Sequence, residues 1–156
     1  MFQMRFITVK TYEELSNKAA DIIAAVIINK PNCVLGLATG STPIGMYNKL
    51  AEMNKAGKID FSKVRTFNLD EYYPIKRDND QSYYYFMNEN LFSKVNIDPL
   101  NTNIPNGEAM DPVKECRAYD EKLRNAGGCD IQVLGIGQNG HIAFNDPGVA
   151  DFNDPA

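Results

Sequence analysis

Short apolar runs that end in glycine, threonine or aspartate alternate along this sequence with longer stretches whose apolar residues recur at helical spacing, and few architectures accept that alternation. Met4 to Val9, with Phe6 and Val9 among β-formers, reads as a first short strand. Thr11 and Glu14 have capping-box spacing, and Leu15, Ala19, Ile22, Ile23 and Val26 then predict a helix with one apolar face against a sheet. Cys33 to Ala38 reads as a buried strand. It ends at Thr39-Gly40-Ser41-Thr42-Pro43, where Pro43 suits the first position of a helix continued by Ile44, Tyr47, Leu50 and Met53.

A third strand, Lys63 to Asn68, runs into Leu69-Asp70-Glu71-Tyr72-Tyr73-Pro74, and the charged segment 76–80 marks a loop. The aromatic-rich run from Ser82 to Phe92 is long enough to favour helix over strand. Asn103 to Gly107 is a brief extended piece. Asp111-Pro112 repeats the cap-then-proline start of a helix, Gly127-Gly128 ends it, and Ile131 to Leu134 makes a last strand before a glycine-rich loop. Phe144-Asn145-Asp146-Pro147 recurs as Phe152-Asn153-Asp154-Pro155, an echo with no functional reading.

Alternating strands and helices predict an α/β fold: a Rossmann-like open, mostly parallel sheet with helices on both faces. A length of 156 residues with 44% hydrophobic content fits a single domain over residues 1–156 with a real core. The net charge of -4 is spread along the chain, leaving no basic stripe for a nucleic acid. Met1 to Lys10 lacks the apolar core of a signal peptide, and no run reaches the roughly 20 apolar residues of a membrane span, so a cytoplasmic protein is expected. Cys33, Cys116 and Cys129 are far apart and read as reduced thiols; with His141 the sole histidine, no metal site is expected.

In such sheets ligands bind outside the carboxyl ends of the strands. Three loops fall there: Thr39 to Pro43, Asn68 to Pro74, and Gly137 to Pro147. The first presents backbone amides and the hydroxyls of Ser41 and Thr42 at a helix start. It lacks the lysine of a nucleotide P-loop and so suits a monophosphate. The second puts Asp70 at the rim, where partial withdrawal from water makes a carboxylate a stronger base. The third holds His141, an imidazole able to give and take protons near neutral pH. Taken alone, each loop also has an ordinary reading: a capped helix start, solvated charge, a structural histidine. Gly135-Ile136-Gly137-Gln138-Asn139-Gly140 matches the dinucleotide fingerprint formally. It stands too near the end of the sequence for the required acidic partner, and Pro147 curtails a following helix, so no dinucleotide is expected.

Leu35 to Pro43 (LGLATGSTP), Phe67 to Tyr72 (FNLDEY), Ser82 to Met87 (SYYYFM) and Leu134 to Asn145 (LGIGQNGHIAFN) resemble, in order, the glucosamine-6-phosphate deaminases, also called isomerases. The resemblance implies an enzyme of hydrolase or isomerase type in amino-sugar catabolism. It would convert glucosamine 6-phosphate and water to fructose 6-phosphate and ammonia without a cofactor. It further implies ring opening by His141, and proton transfer by Asp70 from the carbon bearing nitrogen to its neighbour through an enolamine. Thr39, Gly40, Ser41 and Thr42 would bind the phosphate, and Tyr83 would sit in a mobile lid.

Asn139 stands where many members have an aspartate, and Asp146 where a glutamate usually completes the ring-opening group. An amide can orient an imidazole but does not stabilise its cation as a carboxylate does. Family members continue well past the position of Ala156, with basic residues that complete the phosphate site. The sheet is therefore expected to be incomplete at the C-terminus, and the 156-residue chain to bind sugar phosphate weakly and turn over little. A homo-oligomer is left open. The lactonases that act on 6-phosphogluconate share a Gly-His signature but lack the Asn68-Leu69-Asp70-Glu71 loop. A non-catalytic sugar-phosphate sensor is a third reading, weakened by the absence of a DNA-binding helix pair before the sheet.

Overall fold

A strand with no polar residue must be buried on both faces, and β1 (Val34–Leu37) is, with all four residues withdrawn from solvent. The computed structural model describes residues 4–148. In it, β1 pairs in parallel with β2 (Arg65–Asn68), Leu35 opposite Thr66 and Leu37 opposite Asn68. β3 (Thr102–Asn103) extends the sheet beyond β2, and β4 (Ile131–Gln132) pairs with the other edge of β1, giving the order β3-β2-β1-β4. Every pairing is parallel. The chain thus moves outward on one side of β1 and returns to the other for β4. Strand order reverses between β1 and β4, and the crevice at that reversal is where open α/β sheets bind ligands.

One face of the sheet carries α1 (Tyr12–Asn29), α2 (Ile44–Lys55) and α3 (Tyr83–Asn90), whose Ile23, Ile27, Tyr47, Leu50 and Met87 join Leu35 and Leu37 in a single core. The opposite face is covered by α4 (Pro112–Asn125), where Tyr119 meets Phe67 edge to face at 5.7 Å. The start of α4 is as expected: Asp111 Oδ1 accepts from the Lys114 amide, and Pro112 takes the first turn. The Tyr119 hydroxyl lies 2.8 and 2.9 Å from the carbonyls of Asn68 and Asn103, tying α4 to the ends of two strands. The Rossmann-like α/β architecture is therefore present, with helices on both faces. Among the described residues no helix is long and apolar enough to cross a membrane.

Four local expectations fail in whole or in part. Residues 4–9 form no strand: the segment pairs with neither sheet edge, and Phe6 is 84% exposed. The buried face of α1 is Ser16, Ala20, Ile23, Ala24 and Ile27, about one residue around the helix from the expected stripe, and Leu15 and Ile22 remain 43% and 42% exposed. The reason is close approach to α2. A Cβ on Gly45 would stand 2.2 Å from Ser16 Oγ, so the interface accepts small residues where periodicity favours large ones. The capping box is half made: Thr11 Oγ1 accepts from the Glu14 amide, but Glu14 bonds the amide of Lys10 rather than that of Thr11. The last strand is also shorter, two residues instead of four. The Phe152 to Pro155 echo and Met1 to Gln3 lie outside the described residues.

Candidate active site

The loops that leave β1, β2 and β4 wall one cleft of about 670 Å³. The first loop turns through Gly40 at φ +94° and enters α2 with Pro43 as its N-cap and no side-chain cap. From the first turn of α1, the Tyr12 hydroxyl stands 3.2 and 3.0 Å from the carbonyls of Ser41 and Thr42 and accepts from the Gly45 amide at 2.9 Å. Those carbonyls are therefore held toward Tyr12. The amides of Gly40, Ser41 and Thr42 donate to no group among the described residues. Three free donors ahead of a helix N-terminus favour an anion.

In the second loop Asp70 is half-buried at the cleft wall. Burial, and then the negative charge of Glu71, push its carboxyl above the usual range. Glu71 faces the other way. Its Oε1 accepts from the amides of Tyr72 and Tyr83 at 2.9 Å, and its Oε2 accepts from Tyr84 at 3.0 Å, so it is a helix cap rather than solvated charge.

The third loop folds on itself. Gly137 N donates to His141 O and Gly140 N to Gly137 O, with Gly140 at φ +88°. The imidazole lies directly over Gly137, where a Cβ would come within 2.2 Å of the ring. Asn139 Nδ2 donates to Asp146 Oδ1 at 2.9 Å, which turns Asn139 Oδ1 toward His141 Nδ1 at 2.7 Å. A carboxylate only accepts, so this chain puts one hydrogen on Nδ1, which in the neutral ring places the lone pair on Nε2. Phe144 stacks near His141 (6.1 Å, 14°) and near Tyr83 (6.2 Å, 13°), and Tyr72 packs on Tyr83 at 4.8 Å. The result is an aromatic wall joining the third loop to the second and to α3.

Of the residues singled out from sequence, Thr39, Gly40, Ser41, Thr42, Asp70, Tyr83 and His141 all line the cleft. Asn139 and Asp146 do not; they stand behind His141, and Asp146 reaches Asn139 rather than the imidazole. Sequence reading missed Tyr12, Glu71, Tyr72 and Phe144. The density of aromatics from Tyr72 to Phe86 was the available signal for the wall. No cluster of three potential metal ligands occurs among the described residues.

A Rossmann-like sheet that gathers three free amides, a carboxylate and an imidazole in one cleft at its strand-order reversal defines an α/β domain with a small-molecule site. A family model described as glucosamine-6-phosphate isomerases/6-phosphogluconolactonase matches residues 8–147, and the chain belongs to that family. Glucosamine-6-phosphate deaminase of Clostridium botulinum (strain Loch Maree / Type A3) is 58% identical over 147 residues, 94% of this chain and 60% of the relative. That of Halothermothrix orenii is 58% identical over 144 residues, 92% of this chain and 60% of the relative. A solved monomeric glucosamine-6-phosphate deaminase superimposes with a TM-score of 0.91 at 45% identity, covering 94% of this chain and 61% of that one. The 6-phosphogluconolactonase of Thermotoga maritima gives 0.76 at 29% identity over 90% of this chain and 62% of that one. The chain thus spans about 60% of the length of the curated relatives it matches.

Proposed function

We propose that this chain carries the sugar-phosphate site of a glucosamine-6-phosphate deaminase. The observation that carries the reading is the meeting, in one cleft, of three free amides, a carboxylate made more basic by burial, and an imidazole with Nε2 left free. The amides of Gly40, Ser41 and Thr42 hold the 6-phosphate, and that remote anchor fixes the orientation of the reacting carbons. His141 moves a proton between the ring oxygen and the anomeric hydroxyl, opening the sugar. Asp70 removes the proton from the carbon bearing nitrogen and returns it to the neighbouring carbon. The enolamine becomes an imine, and water replaces nitrogen to leave a ketone and ammonia. Tyr83 and Phe144 exclude solvent from the cleft. The reading carries a cytoplasmic location with it.

The test is twofold. Glucosamine 6-phosphate should shift the amide resonances of Gly40, Ser41 and Thr42, and a natural-length protein carrying these residues should release ammonia and fructose 6-phosphate. Hydrolysis of 6-phosphogluconolactone, with no binding of the amino sugar, would assign the site to the lactonase branch instead.

A further inference from the structure

We propose that Glu71 is a positioning residue: by bridging the loop after β2 to the first turn of α3, its carboxylate fixes where Asp70 stands relative to Tyr83. The inference rests on the reading of Asp70 as the base.

A helix leaves four N-terminal amides without intrahelical partners, and those of α3 are all satisfied. Ser82 N donates to Asn79 O, and Tyr85 N to Ser82 Oγ. Tyr83 N and Tyr84 N, which no local cap reaches, donate to the two oxygens of Glu71, a residue 12 and 13 positions earlier in the chain. Oε1 also accepts from Tyr72 N, which folds the loop back immediately after Asp70. Charge-assisted bonds of this kind are among the stronger ones available to a protein. Both Glu71 oxygens are thereby engaged, and Glu71 does not line the cleft while Asp70 does. Two adjacent carboxylates divide the work, one anchoring the loop and the other facing the ligand. Because the anchor seizes the residue that carries the Tyr83 ring, base and lid are held as one unit.

Hydrogen exchange and a carbon-13 titration of the Asp70 carboxyl, in the chain and in its Glu71→Gln and Glu71→Ala variants, test this without requiring turnover. The titratable groups that interact electrostatically with Asp70 are Glu71, Tyr83 and Tyr119, and only Glu71 is altered. In Glu71→Ala the Tyr83 and Tyr84 amides should exchange on the order of tenfold faster, with Tyr85, held by Ser82, as the internal control. Glu71→Gln keeps one acceptor and should restore part of that protection. The Asp70 midpoint should fall in both variants, and further in the alanine variant, where the freed loop also gains water. Equal midpoints in the two variants would reduce Glu71 to a neighbouring charge and overturn the proposal, as would unchanged exchange. Absence of ammonia release from a natural-length protein would instead bear on the deaminase reading and leave these measurements standing.

Discussion

Asp70 sits in a loop whose next residue is bonded to a helix twelve positions away, whereas the hydrogen bonds that shape the His141 loop join residues within 137–146. The Asp70 loop takes its position from α3, which is packed into the core through Met87. The His141 loop takes its shape from its own glycines and amides and meets the rest of the site through the Phe144 ring. It also contains strain. Ala143 and Phe144 adopt φ of 52° and 56° in a turn closed by Ile142 and Asn145, a conformation that favours glycine or asparagine. A proton-handling group can thus be fixed by tertiary anchoring or by local folding, and the two should fail differently.

The largest expected effect separates chemistry from stability. In a natural-length protein, Asp70→Asn should lower ammonia release by roughly 10²- to 10⁴-fold, the usual worth of a general base. The folded-state pKa of Asp70 is raised, so its charge costs stability above that pKa, and the cost vanishes below the unfolded-state value. The variant should therefore melt no lower than the parent at pH 7, with the difference closing on acidification; a variant that melts lower at neutral pH would break the assignment. Next, Gly137→Ala forces the imidazole aside and should cost on the order of 10²-fold in rate. Sugar-phosphate affinity, measured by calorimetry, should barely change, because the anion loop is built separately. A smaller effect probes the strained turn. Phe144→Gly should unfold with about 1 kcal/mol more resistance than Phe144→Ala in denaturant titration, since only the left-handed backbone distinguishes them. Smallest is Tyr12→Phe, which removes a brace from the first loop and should weaken phosphate binding by roughly fivefold, about one net hydrogen bond. If Tyr12→Phe instead disturbed His141, the independence of the two loops would be lost.

The sheet was legible because β1 has no polar residue and because Asp111-Pro112 starts its helix locally. The three loops were legible for the same reason: strand ends can be read from short-range pattern. Long-range geometry was not. The face of α1 depends on how near Gly45 comes to Ser16, a quantity that periodicity does not contain. The role of Glu71 depends on where α3 returns, and an Asp-Glu pair read in isolation gives no reason to assign one carboxylate to the cleft and the other to a cap. The Asn139 and Asp146 arrangement was read as two departures from a family pattern. In space it is one chain of hydrogen bonds that sets the imidazole's tautomer. Residues 4–9 show the opposite error, since β-forming residues make a strand only where a sheet edge receives them.

The strand order also acts as a ruler. Asp70 follows β2 and the His141 loop follows β4, with β1 and its anion loop between them. Neighbouring strands lie about 4.8 Å apart, so the two flanking strands are separated by about 10 Å of backbone. Asp70 and His141 line the cleft from these two flanks, and in the proposed reading the phosphate is anchored between them. A substrate pinned there by its terminal phosphate would lie lengthwise, presenting opposite edges to the acid and the base. Reach is then graded by the number of carbons from the anion, and sugars one carbon shorter or longer would place the wrong carbon beside Asp70.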